Sequence, residues 1–225
     1  MARTARELLE RTAGNLAPDP HANRLLPLIA RGAAQRSTLA ALALEQGQVI
    51  PADRRAFLHL AERPDTGPEC AAFFTGLAES EALALDRLAV YADACGCGAE
   101  AARAAYQPLA GCQSYPAYVA WLAMNGSPAE VALALTANFA AWGGYCTTIA
   151  EALRHHYDFD DEACGFFDLF AEPGPELGQR ALAAVREGLE TDRLDEDRAH
   201  RQGRLLQTCE TSFWHALWEE DQRVP

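Results

Sequence analysis

The apolar residues of this chain are chiefly Ala and Leu, spread along its whole length, and that choice constrains the fold more than any other feature. Both lose little side-chain freedom in a helix and are its best formers. Alternating runs of β-branched residues, the mark of half-buried strands, are hard to find. Nearly half of the 225 residues are apolar, enough for a substantial core and too many for a disordered segment. The expectation is all-α: one compact domain over residues 1–225, a bundle of about eight to ten helices, with 1–20 a helical extension at the N-terminus.

The net charge of −13 and the lack of a basic patch argue against nucleic acid, which is gripped through Lys and Arg on phosphates. Anionic membranes are disfavoured in the same way. No stretch reaches the ~18–20 apolar residues of a membrane span. Met1 to Leu16 carries Arg3, Arg6, Glu7, Glu10 and Arg11, so it lacks a signal peptide's apolar middle, and a cytoplasmic location is expected. Every basic residue is Arg; without Lys the chain cannot form a Schiff base. Cys70, Cys95, Cys97, Cys112, Cys146, Cys164 and Cys209 are an odd, scattered set, read as buried thiols rather than a disulfide framework.

Apolar spacing predicts helices from Ala5, from His21 to a stop at Gly32, and from a Ser37 cap to Gln48. Pro51 is expected to open a separate short helix through Phe57, Leu58 and Leu60, before a loop from Arg63 to Pro68. Cys70–Ala94 reads as one long helix stopped by Gly96-Cys97-Gly98, followed by Glu100–Tyr106 and Tyr115–Met124. Ser127-Pro128-Ala129-Glu130 has the pattern of a capped start, and that helix continues to about His156. Asp160–Phe170 comes next, a break at Pro173-Gly174-Pro175, then Glu176–Leu189 and a last helix from about Asp192 to Glu220.

From Val131 to Ile149 the sequence is apolar on every side, which predicts a helix surrounded by others. Gly143 and Gly144 lie inside it at about 1 kcal/mol each relative to Ala, so a kink, a close backbone or a ligand should compensate. Asn138, Trp142, Tyr145, Cys146 and Ile149 share one face. Two readings stand: a pocket lined by aromatic and polar groups, or close packing with polar groups satisfied internally. In the last helix Leu206, Cys209, Phe213 and Leu217 recur at core spacing, with Glu210 beside them and Trp214 one turn on. A carboxyl against apolar neighbours gains a raised pKa suited to proton transfer; the plainer reading is a boundary Glu reaching solvent.

Several segments together resemble the TenA group of the haem oxygenase-like helical proteins. Cys209-Glu210-Thr211-Ser212-Phe213-Trp214 resembles that family's C-terminal helix, with a Glu three residues before Phe-Trp. Tyr115-Pro116-Ala117-Tyr118, Asn125-Gly126 and Ala129-Glu130 resemble its Tyr-containing helix, Gly turn and Ala-Glu helix start, and Ile149-Ala150-Glu151-Ala152-Leu153 looks like the end of its central helix. The resemblance runs from about Leu25 onward and implies a haem oxygenase-like bundle, a homo-oligomer and an internal pocket for a small molecule. It implies C–N hydrolysis of thiamine or of an aminomethyl pyrimidine, with Glu210 as proton-transfer group and Tyr115 in the pocket.

Anchored on Ile149–Leu153, the resemblance puts Trp142 where many members carry a nucleophilic Cys, and Cys146 where they carry a Tyr. Anchored on Gly32, it puts Gln46 at a substrate-binding Asp and Val49 at a Tyr. Cys146 is then a displaced nucleophile or a structural thiol. Asn138, Trp142, Tyr145, Tyr115, Gln46, Glu45 and Trp214 are the candidate substrate contacts. A non-catalytic ligand-binding or regulatory protein with the same pocket is the alternative, and a metal-dependent haem oxygenase-like oxidase is the third reading. Other members of this fold hold two irons through Glu and His; Glu45, Glu79 and Glu81 are suggestively placed, but Ala82 and Ala84 stand where the His partners belong. No metal and no cofactor are expected.

Overall fold

The computed structural model describes residues 4–19, 21–172 and 174–223, and within them ten α-helices follow one another with no strand. They are α1 (Ala5–Asn15), α2 (Leu26–Ala30), α3 (Arg36–Glu62), α4 (Pro68–Ala94), α5 (Glu100–Ala105), α6 (Ala110–Asn125), α7 (Pro128–His156), α8 (Asp161–Ala171), α9 (Pro175–Glu190) and α10 (Glu196–Arg223). The all-α bundle expected from composition is the one observed. None of these helices is long and apolar enough to cross a membrane. Met1–Arg3 and Pro173, on which parts of the sequence reading fall, lie outside the described residues.

Local start signals explain several boundaries. Thr4 and Glu7 cap α1 reciprocally, and Asp160 accepts from the Ala163 amide at 2.8 Å to start α8. Two expected caps are built otherwise. Ser37 lies inside α3; the helix start is instead held from α10, where Asp221 accepts from the Gln35 amide and the Thr38 hydroxyl, both at 2.8 Å. Ser127 occupies the residue before α7, but its hydroxyl donates to the Arg193 carbonyl, while Glu130 accepts from the Asp195 amide.

Proline proves a weaker breaker than its local chemistry suggests. Helix α3 runs unbroken through Pro51, and α6 begins five residues before Tyr115 and runs through Pro116. An internal proline costs about 3 kcal/mol. Val49, Ile50, Ala56 and Phe57 are all buried on α3, and burying such side chains against α4 outweighs that cost.

Two apolar clusters make up most of the interior. One gathers α2, the first half of α3, the C-terminal half of α7, α8 and the end of α10, around Tyr91, Phe166, Phe167 and Trp214. The other joins the second half of α3, the start of α4, α6, α9 and the first half of α7, around Phe57, Phe73 and Phe74. A smaller group seats α1: Leu8 packs with Leu133, Val185 and Ala199, and Thr12 hydrogen-bonds His200 at 2.9 Å. Phe74 is fully buried, with ring centroids 5.3 Å from Phe73 and 6.5 Å from Phe57. Phe74→Ala is therefore expected to lower unfolding free energy by about 3–5 kcal/mol, read as a fall in the urea midpoint at unchanged slope.

Helix α7 departs from the expectation of burial on every side. Val131 to Leu135 are fully buried, yet Ala140, Gly144 and Thr147 are exposed. The helix continues through the glycine pair. A Cβ on Gly143 would stand 3.1 Å from the Phe170 carbonyl oxygen, so α8 is the close backbone there. Gly144 faces open space.

Candidate active site

Where the two large clusters meet, the bundle leaves a cavity of about 60 Å³. Tyr115 packs on both clusters and stands in its wall. Helix α3 contributes Gln46, Val49, Ile50 and Asp53, four positions on one helical face. Glu81 comes from α4, Phe170 from α8, and Asn138, Phe139 and Trp142 from α7. Helix α10 closes the wall with Glu210, Phe213 and Trp214. The walls are mostly apolar and aromatic with a few convergent polar groups, the usual make-up of a small-molecule pocket.

A chain of hydrogen bonds orients the central acid. The Tyr115 hydroxyl donates to Asn138 Oδ1 at 3.1 Å, and Asn138 Nδ2 donates to Glu210 Oε2 at 2.6 Å. Only one rotamer of the Asn138 amide serves both bonds. The other carboxyl oxygen, Glu210 Oε1, is buried with no hydrogen-bond partner. Burial pushes the Glu210 carboxyl up to about 7, while Asn138 and then the Trp214 indole pull the opposite way. The Trp214 N–H falls short of a well-formed bond and is itself left without a partner. A carboxyl titrating near 7 is present in both forms at neutral pH, as a general acid or base needs. Asn138→Leu removes the strongest downward pull, so Glu210 is expected to titrate above about 7, measurable by ¹³C NMR of its carboxyl carbon.

Of the residues singled out in the sequence, Glu210, Asn138, Trp142, Tyr115, Gln46 and Trp214 share this cavity. Three do not. Cys146 is fully buried outside the lining, and burial together with the charge of Glu210 pushes its thiol well up, features that favour the structural-thiol reading over the displaced nucleophile. Tyr145 stands behind the wall, its ring edge-on to Trp214 at 5.5 Å. Glu45 faces away, accepting from Tyr106 Oη (2.7 Å), the Leu109 amide (2.6 Å) and Gln113 Nε2 (2.8 Å), which fasten the start of α6. The glycine pair does not line the cavity either.

The cavity holds two more acids: Asp53, which the sequence reading passes over, and Glu81, which it weighs only as an iron ligand. Asp53 is 4% and Glu81 7% exposed, and both line the cavity. Burial pushes Asp53 up to about 8; burial and the negative charge of Asp53 push Glu81 well above the carboxylate range. A signal for each is present in the sequence. Asp53 continues the i, i+3, i+4, i+7 row of Gln46, Val49 and Ile50, and Glu81 continues the buried row of Phe74, Leu77 and Ala78. Among the described residues, no group of three or more His, Cys, Asp or Glu side chains is disposed to hold a metal ion.

Helices packed around this cavity make the chain an all-helical protein, and the solved structures it resembles have a heme oxygenase-like fold. Structures with the same fold include a domain of unknown function with a heme oxygenase-like fold from Shewanella denitrificans OS217, at 15% identity and a TM-score of 0.69 over 96% of this chain and 91% of that one. A TenA homologue from P. horikoshii OT3 gives 14% and 0.66, over 96% of each chain. A TenA homologue from Pyrococcus furiosus gives 15% and 0.64, over 94% of this chain and 98% of the other. The chain belongs to the TENA/THI-4/PQQC family, whose sequence model matches residues 68–220, from the start of α4 almost to the end of α10. No curated protein sequence matches it significantly. Helix α3, with Gln46 and Asp53, lies outside the matched stretch.

Proposed function

We propose that this chain is a TenA-like hydrolase that cleaves a C–N bond of a small heteroaromatic compound, of the thiamine-related pyrimidine type, with Glu210 as the proton-transfer group. The observation carrying this reading is the unpartnered Glu210 oxygen in the cavity, on a carboxyl held near 7. No thiol lines the cavity among the described residues, so water attacks directly. Ionised Glu210 takes a proton from the water as the C–O bond forms, then gives it to the departing nitrogen as the C–N bond breaks. The rings of Trp142, Phe139 and Trp214 supply flat apolar faces for a heteroaromatic ring, and Asn138 and Tyr115 hold the acid in place.

The same reading has the protein working in the cytoplasm as a homo-oligomer, and not on nucleic acid or membrane. The charge of −13 supports the last point. Trp121 and Met124 on α6 and Leu205 on α10, large apolar side chains left exposed on adjacent helices, support association.

The missing thiol favours a second reading, a ligand binder that keeps the pocket without the chemistry. Incubating the protein with thiamine and with aminomethyl pyrimidines, while following released ammonia and heterocycle, separates the two. Turnover that disappears in Glu210→Gln supports the hydrolase; thermal stabilisation by the same compounds without turnover supports the binder.

A further inference from the structure

Asp53 and Glu81 have no role in the proton transfer just described, yet they are the most unusual groups in the cavity. They reach it from α3 and α4, helices that pack along their length. Asp53 Oδ1 and Glu81 Oε2 are both buried without a hydrogen-bond partner. A bare buried polar oxygen destabilises a fold, and native interiors rarely keep two in one cavity without a use. Among the described residues no Arg or His is in the cavity wall to neutralise them, and the third acid there is Glu210. Tyr115 feels the charge of all three, Asp53 most strongly, so the acids form one array around that ring.

We propose that Asp53 and Glu81 form a two-carboxyl cradle for a cationic head carrying N–H groups on two nitrogens, an amidinium-type N–C–N unit, with its attached ring lying between the apolar walls. This deepens the functional reading above and rests on it, since it names the end of the heteroaromatic ligand that the cavity grips. Each acid offers one unpartnered oxygen, and a planar amidinium offers one N–H to each; such charge-assisted pairs are about twice as strong as neutral ones. Val49 and Ile50, next to Asp53 on the same helical face, and Phe139 and Trp142 are the apolar surfaces the ring would meet. A metal ion fits the set less well, because among the described residues Asp53, Glu81 and Glu210 do not come together as a group of three donors that could hold one.

The cradle makes binding proton-linked. Empty, the pair holds its protons at neutral pH, because burial and mutual repulsion oppose two charges. A bound cation stabilises the ionised form, so protons leave as it enters. The titratable groups facing the pair are Tyr115 from α6 and Glu210 from α10; α7 presents the Asn138 amide and α8 the Phe170 ring. Affinity for a permanently protonated head therefore rises with pH from 6 to 8.

Benzamidine tests this by isothermal titration calorimetry on the full chain, in two buffers of different ionisation enthalpy at pH 6, 7 and 8. The expected result is binding that releases about one proton and tightens by up to about 10-fold per pH unit. Benzoate and neutral benzamide are expected to bind far more weakly. Asp53→Asn and Glu81→Gln should each weaken benzamidine by about 10- to 100-fold, the loss of one charged hydrogen bond. Equal binding of benzoate, a flat pH dependence, or native affinity in the double variant overturns the cradle. Should a variant fail to fold, the ligand series and pH slope on the native protein still decide it. Failure here, with Glu210-dependent turnover intact, would remove the cradle and leave the hydrolase standing. Acid-dependent benzamidine binding with no turnover on any pyrimidine would do the reverse.

Discussion

Glu210→Gln is expected to lower the C–N hydrolysis rate by about 10²- to 10⁴-fold while leaving the fold intact, the usual loss when a positioned acid or base is removed. The change is nearly isosteric, and a Gln carbonyl still accepts from Asn138 Nδ2 in place of Glu210 Oε2. It removes only the ability to take and give a proton. KM should change little and kcat greatly, because the missing interaction develops in the transition state. The pH profile supplies a second readout. The native carboxyl sits near 7 because burial opposes its charged form. Acting as base it must be ionised, so native kcat/KM rises with pH up to about 7 and then levels, whereas the residual rate of the variant lacks that inflection. A variant with native kcat and an unchanged inflection would assign the proton transfer to another group.

The helices are legible in the sequence wherever apolar spacing and punctuation agree, as at the Gly turn before α7 and the Asp160 cap of α8. Sequence misleads where punctuation and packing conflict. Treating Pro51 as a helix start cuts α3 in two, and that single error hides Asp53, whose place in the Gln46 row shows only when the helix is read through the proline. Glu81 is visible as an acid in a buried row, but by local pattern alone it reads as a metal ligand lacking its His. Glu210 and Asn138 can be picked out because each stands among core residues of its helix. Their mutual hydrogen bond joins residues far apart in sequence and rests on how α7 and α10 cross, which spacing within either helix does not encode. Cys146 is absent from the lining for a different reason: sharing a helical face with Trp142 says nothing about depth along it, and one turn further on the cavity has ended.

Asp53→Asn is expected to stabilise the protein, and increasingly so as the pH rises. The folded-state carboxyl of Asp53 sits at about 8 against an ordinary value of 3.8, raised by burial. The native state thus keeps a proton that the unfolded chain gives up above about pH 4. Unfolding releases that proton, so its contribution is most favourable below about 4 and is lost progressively as pH climbs to about 8, where both states are ionised. At about 1.4 kcal/mol for each tenfold change in proton affinity, the loss amounts to several kcal/mol. Asn keeps the shape, carries no proton to lose, and removes the negative charge that raises Glu81. For a chain of this size, a rise in Tm of roughly 5–15 °C at pH 8 follows, shrinking towards pH 5. Melting curves of both proteins across that range check it, and an Asp53→Asn variant no more stable than native at pH 8 would sink the idea. The direction matters for function as well. An acid that weakens its own fold at neutral pH, and whose Oδ1 finds no partner inside it, is what the proposed cradle requires: a group whose missing contact a bound cation would supply.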